Sequence, residues 1–310
     1  MKYIIYICAG LMLVLSCTQL KVAQEHYSNN EYEETIAVCR DILVTDSTNV
    51  DALALMADAY EQLDKLDSAL LYYEQASRVA AEPKQFDNQR YQILIRQGND
   101  VVETDKDAAL RYYDRAINLY PDRARALEKK ADVFYSMQKY EQAKPLYASA
   151  YETTWDSTRV RSKIAKIDSI NAVTQERIKQ GRRLIENKEY DAAKRVLNKA
   201  VETKPKSDEA RYQLHIATGL RLYQRGSKNA LWEAIEEFGF ASYIFPDRGE
   251  PHYYMGLAYQ KKDKEEYSNA IESLKRAVRI DPDGEFAEKA KQEAERIQAR
   301  KEKMDAFWGR

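Results

Sequence analysis

Cysteine, histidine and tryptophan occur only three times each in this chain, glycine 10 times and proline 7 times. So few helix breakers in 310 residues exclude a turn-rich sandwich or barrel and favour helix throughout. Three cysteines cannot build a disulfide framework. Neither sign of charge is in excess: 49 Lys+Arg stand against 50 Asp+Glu, a formal net charge of −1. That balance lacks the basic footprint needed to neutralise phosphates, so nucleic acid is not the expected partner. The histidines, His26, His215 and His252, stand far apart with no paired metal-ligand spacing. There is no phosphate-cradling glycine loop, nucleophile elbow or cysteine pair. Asp281-Pro282-Asp283-Gly284-Glu285 lacks the remaining alternating oxygen ligands of a calcium loop and reads as a turn before a helix. The expectation is a protein that is not an enzyme and takes no metal and no small-molecule cofactor.

Long apolar runs are also missing, with one exception at the start, MKYIIYICAGLMLVLSC. After Lys2 the uncharged stretch Ile4 to Leu15 would span roughly 18 Å as a helix, short of a hydrocarbon core of about 30 Å. It reads as the apolar part of a signal peptide. Val14-Leu15-Ser16-Cys17 resembles the lipobox of bacterial lipoproteins: an aliphatic residue, a variable one, a small one, then cysteine. The resemblance implies cleavage after residue 16 and acylation of Cys17, which would hold the chain to a membrane through its lipid. Thr18 follows rather than aspartate, and no acidic run comes next. Both point to the periplasmic face of the outer membrane as the expected location in the cell envelope. Cys39 then remains as a lone thiol, in an apolar stripe with Ile36 and Leu43, where it reads as a small buried hydrophobe.

What the chain has in abundance is tyrosine, 23 against 7 phenylalanines, and a repeating lattice. From Tyr60 the sequence places Leu66, Ala69, Tyr73 and Ala76 at steps of six, nine, thirteen and sixteen. Phe134 is followed at the same steps by Tyr140, Ala143, Tyr147 and Ala150, and Leu184 by Tyr190, Ala193, Leu197 and Ala200. This pattern resembles the tetratricopeptide repeat, a helix–turn–helix unit of 34 residues. The resemblance implies an all-α fold, a right-handed superhelical solenoid of antiparallel helix pairs, with about seven repeats and a C-terminal capping helix.

The expected division is a signal peptide over 1–16, repeats 1–4 over 17–157, a spacer helix over 158–173, repeats 5–7 over 174–283, and a capping helix and tail over 284–310. Repeat 1 has Thr35 and Ile42 where alanines are usual. In repeat 6 the residues from Gln224 to Asn229 are expected to lengthen the connection between its helices. The spacer carries Val160, Ile164, Ile167 and Ile170 at helical steps, either as a separate helix or fused to the next. Phe286, Ala290, Ala294 and Ile297 give the last helix the thin apolar edge of a solenoid cap.

In this family the first helices of successive repeats commonly line a concave wall that receives a peptide or partner helix. Mapped by that resemblance, the wall holds Asp58, Gln62, Tyr91, Leu94, Arg125, Glu128, Asp132, Tyr135, Arg182, Tyr253 and Gln260. The lysine-rich clamp by which chaperone-binding members hold a C-terminal carboxylate is missing, since Ala54, Asp58 and Asp132 occupy the matching places. A wall mixed in charge and interleaved with tyrosine suits a partly polar protein segment. The resemblance therefore implies a scaffold that binds another envelope protein or peptide. Assembly of outer-membrane proteins, pili or secretion machinery is a narrower alternative. Capture of a glycan or peptide nutrient is a third, although Trp155, Trp232 and Trp308 read as packing or terminal residues rather than sugar platforms.

Overall fold

The computed structural model describes residues 18–82, 84–153, 157–262 and 267–308, the side chain of Trp308 excepted. The signal segment, Cys17 and Trp155 lie outside the described residues. Within them the chain forms fifteen helices and no strand. It divides into two compact units between Ile164 and Ala165.

The first unit pairs α1 (residues 18–28) with α2 (Tyr32–Thr45), α3 (Val50–Gln62) with α4 (Leu66–Val79), α5 (Asp87–Val101) with α6 (Lys106–Leu119), and α7 (Ala124–Ser136) with α8 (Tyr140–Thr153). The boundary falls inside α9 (Thr158–Glu186). Of the two arrangements open for 158–173 the fused one occurs, because α9 runs for 29 residues without a break. In the second unit the end of α9 pairs with α10 (Tyr190–Thr203), α11 (Asp208–Arg225) with α12 (Lys228–Ile244), and α13 (Glu250–Lys262) with α14 (Tyr267–Ile280). The final helix, α15 (Glu285–Trp308), follows and packs on α14.

The small–large–small lattice on the second helices is the core. Ala69, Tyr73 and Ala76, and their counterparts through Ala270, Leu274 and Ala277, are all exposed by 1% or less. Repeat 1 fills the same places with Thr35, Cys39 and Ile42, also sealed from solvent. Thr35 fits an alanine site because its hydroxyl donates to the Glu31 carbonyl at 2.8 Å, which satisfies the buried oxygen. In four of these sets the large member lies against a glycine of the paired first helix: Tyr113 on Gly98, Leu197 on Gly181, Phe238 on Gly219 and Leu274 on Gly256. A Cβ at any of the four would come within about 2.5 Å of that side chain, so the lattice fixes how closely the helices approach.

Four turns inside helix pairs close in the same way. Asn30, Asp64, Gln138 and Lys188 take left-handed φ values of 63°, 57°, 57° and 64°. The following amide then donates back to a carbonyl of the first helix, as Lys65 does to Tyr60 at 2.9 Å and Glu189 to Leu184 at 2.8 Å.

Repeat 6 departs from expectation. The additional residues do not lengthen its connection; they lengthen its helices, α11 to 18 residues and α12 to 17. Gly226 ends α11 in the left-handed region at φ 72°, and the Ser227 hydroxyl immediately caps α12 by accepting from the Ala230 amide at 3.3 Å. Two residues make the whole connection. At the chain's end, Ala290, Ala294 and Ile297 of α15 close the core formed by Ala270, Ile271, Leu274 and Ala277 of α14.

Candidate functional site

Two of the expected wall residues are not on a wall. Tyr91 and Leu94 are exposed by only 1% and 2% and belong to the core shared by α3 to α7. The register of α5 places them inward, because the loop before it does not follow the regular repeat; Phe86, just ahead of the helix, packs into the same core. Tyr91 instead braces the next pair, its hydroxyl accepting from the Ala126 amide at 3.2 Å while the Arg123 guanidinium lies 4.8 Å from its ring centre.

The remaining candidates of the first unit lie on α3 and α7. Asp58 accepts a short hydrogen bond from the Tyr73 hydroxyl, and Asp132 accepts one from Tyr147. Asn99 holds the equivalent place in the pair between, accepting from Tyr113 at 3.0 Å. In these three pairs the second helix is thus latched to the first through a tyrosine hydroxyl. Burial raises the pKa of Asp58, and the bond from Tyr73 opposes that shift. Tyr113 is pushed up to about 12 by burial and by the charges of Asp132 and Asp100. Gln62 is exposed at the end of α3.

Towards α9 the first helices are cross-braced by polar side chains. Arg125 donates to Gln92 of α5 at 3.3 Å. Arg159 holds Glu128, and Lys163 reaches Asp132 at 3.0 Å. The Lys163 ammonium also lies 5.0 Å from the centre of the Tyr135 ring. Arg96 bridges Glu61 at 3.2 Å and Asp64 at 2.7 Å. Arg159, Lys163 and Arg96 were not anticipated. A signal for two of them exists: Glu128 and Asp132 stand four apart, as do Arg159 and Lys163, and each pair is separated by 31 residues.

In the second unit, Arg182 pairs with Glu209, which also accepts from Arg248 at 2.7 Å and Gln213 at 3.0 Å. Burial would raise the Glu209 carboxyl, but the hydrogen bonds from Arg248, Gln213 and Arg182 outweigh it and hold its pKa at about 2. The Arg248 guanidinium stacks over Phe245 and Tyr212 at 4.0 and 4.5 Å, and the Tyr212 hydroxyl donates to Glu250 at 2.7 Å. Tyr253 packs on Phe286 at 5.3 Å between ring centres, and Gln260 accepts from Arg296 at 3.3 Å. Glu209 and Arg248 join residues from three elements, a convergence that only the folded chain displays.

Cys39 is sealed, with its thiol pushed up to about 12 by burial, as a structural cysteine would be. His252 is 4% exposed. Among the described residues no group of three or more histidine, cysteine or carboxylate side chains is placed to hold a metal ion, and no helix is long and apolar enough to cross a membrane. Trp232 packs edge-on against Tyr259 at 6.2 Å between ring centres and is 48% exposed.

Models of the tetratricopeptide repeat match residues 50–83, 103–158 and 251–283. No curated protein matches the chain. Solved structures similar to it include the P58(IPK) TPR domain, at 13% identity over 92% of this chain and 98% of that one, with a TM-score of 0.40. A tetratricopeptide repeat protein from Parabacteroides merdae is 13% identical over 90% and 98%, with a TM-score of 0.37. YrrB, described as a TPR protein with an unusual peptide-binding site, is 17% identical over 82% and 97%, with a TM-score of 0.28.

Proposed function

We propose that this chain of tetratricopeptide repeats is a non-catalytic scaffold that receives a segment of another protein on its first helices, and that a lipid on Cys17 holds it to the bacterial cell envelope, at the periplasmic face of the outer membrane. One observation carries the binding half. On α3, α7 and the start of α9, polar and aromatic side chains project from a backbone that the sealed lattice holds rigid. A pre-ordered surface loses little conformational entropy when a partner docks. Its ion pairs are solvent-accessible, so a ligand's own charges can exchange into them at small cost. The anchoring half rests on Val14-Leu15-Ser16-Cys17 alone.

The two halves are tested separately. Affinity purification from detergent-solubilised membranes should recover a defined protein with the natural chain, and much less with Arg125→Glu or Tyr135→Ala. Recovery of oligosaccharide and no protein would sink the scaffold reading. Cys17→Ser should move the protein to the soluble fraction; retention in the membrane would refute lipid anchoring.

A further inference from the structure

The second helices of the second unit share one lattice, so their outward faces can be compared place by place. Aligned on Ala193, Ala234 and Ala270, the outward place two residues earlier holds Asp191, Trp232 and Ser268 on α10, α12 and α14. Six residues after those alanines stand Lys199, Phe240 and Arg276, and nine after them Glu202, Tyr243 and Arg279. At all three places the flanking helices carry charged or small polar side chains, and α12 alone carries aromatic ones.

These rings are not buried. Trp232 and Phe240 are each 48% exposed and Tyr243 is 84% exposed. Steps of eight and three residues bring them within one 80° sector of α12, with Glu236 between them and Glu233 at its edge. The opposite face is also apolar, through Leu231, Ala234, Phe238 and Ala241 in the core. A helix apolar on both sides is expected to be covered on both sides.

The chemistry of the ridge selects its occupant. Glu233 and Glu236 are exposed and make no ion pair among the described residues. At the ridge's start the chain already supplies a cation, since the Lys262 ammonium lies 3.4 Å over the Trp232 ring and 5.5 Å from Tyr259. Phe240, Tyr243 and Glu236 form the part that this lysine does not cover. Rings interleaved with carboxylates attract ammonium and guanidinium groups by the ring quadrupole and by direct charge. The same carboxylates repel an anionic lipid surface. The flanking helices place Arg195, Lys199, Lys275 and Arg276 outward beside their own carboxylates, whereas the exposed charges on the α12 ridge, Glu233 and Glu236, are all negative, which favours α12 for a cationic segment.

We infer that the outer ridge of α12 is a second docking surface, distinct from the first-helix wall, for a polypeptide segment that carries arginine or lysine among apolar residues. The test uses the full chain and two synthetic 14-residue helical peptides, one with leucine and arginine on a shared face, the other with glutamate replacing every arginine. Calorimetric titration should show the arginine peptide binding at least tenfold more tightly. Tyr243→Ala should weaken it at least fivefold, and Glu233→Lys with Glu236→Lys should erase or invert the preference. All three positions are exposed, and unchanged helical circular dichroism verifies the fold. Arg125→Glu, on the first-helix wall, should leave this binding unaffected, so failure here and failure of the wall reading are told apart. Equal affinity for both peptides, no binding of either, or a preference that survives the double charge reversal would overturn the inference. So would aromatic-dependent binding to phosphatidylglycerol vesicles without peptide preference, or aromatic-dependent self-association, which assign the ridge to a membrane or to a second copy.

Discussion

Gly219 and Phe238 permit a test in which the sign of a stability change must reverse. A Cβ at Gly219 would lie 2.5 Å from Cε1 of Phe238 and 2.8 Å from Cδ1 and Cζ. The ring cannot retreat, because it is fully buried and stacked on Tyr254 at 5.4 Å between centres. Gly219→Ala brings two opposed effects. Removing a glycine from a helix interior stabilises by about 1 kcal/mol, whereas forcing extra volume into a close-packed core costs about 1–3 kcal/mol. A clash with several atoms of an immobile ring belongs at the upper end, so the net expectation is a loss of about 2 kcal/mol. Phe238→Ala alone should cost about 3–5 kcal/mol through the cavity it leaves. In that cavity the new methyl meets no ring, and Gly219→Ala should then stabilise by up to about 1 kcal/mol. The coupling between the two sites is therefore about 3 kcal/mol, far above the roughly 0.5 kcal/mol expected of independent sites. Urea unfolding followed by circular dichroism gives the global values, and hydrogen exchange in α11 and α12 gives the local ones in case repeats unfold separately. If Gly219→Ala destabilises both backgrounds alike, the close approach of α11 and α12 is not what the glycine serves.

The other expectations are shorter. Burial, with Arg276 nearby, holds His252 down at about 4, below its ordinary value near 6.5. Its neutral form is favoured by folding, so the contribution is complete above pH 6.5 and is lost as pH falls towards 4; from pH 7 to 5 the loss is up to about 2 kcal/mol. His252→Phe should flatten that slope in unfolding titrations, and an unchanged slope would assign it to other groups; Glu209, held at about 2, keeps its full contribution above about pH 4.5 and loses it only as pH falls from there towards 2. Tyr147→Phe removes a donor to the Asp132 carboxylate and should cost about 1.5–3 kcal/mol in urea unfolding, against about 1 for Tyr113→Phe, whose partner Asn99 is neutral; equal costs would discount the charge. Lys188→Gly relieves a side chain held at φ 64° and should raise the midpoint of thermal unfolding, with a gain of up to about 1 kcal/mol; a lower midpoint would mean that the turn is not strained.

The lattice could be read without coordinates because packing repeats whenever helices stack in the same way. Ala69, Tyr73 and Ala76 recur because each small residue meets a neighbouring backbone, and that demand is identical in every pair. Tyr91 and Leu94 were misplaced for the converse reason. The irregular segment around Phe86 sets the register of α5 so that both turn inward. The residues from Gln224 to Asn229 were misjudged on similar grounds. Helix length is set by where a left-handed cap can form, and Gly226 followed by Ser227 places that cap late. The convergence of Arg182, Gln213 and Arg248 on Glu209 has no sequence period, because its members come from α9, α11 and the loop before α13.

The cross-braces on the first helices also set what kind of ligand they can hold. Arg159 is 63% exposed at its side chain and Glu128 15%. Such a pair contributes only about 0.2–1 kcal/mol, because water competes for the exposed guanidinium. The latch from Tyr147 to Asp132 hangs on a buried ring, Tyr147 being 1% exposed, and Lys163 shares the same carboxylate. A ligand cation arriving at Glu128 therefore displaces a weakly held arginine, while the helix pair beneath stays closed. Removing Asp132 instead disturbs the pair itself. If the proposed docking reading holds, recognition and stability are carried four residues apart on α7, and substitutions there separate them: Glu128→Gln should alter partner affinity with little change in unfolding, whereas Asp132→Ala should shift both.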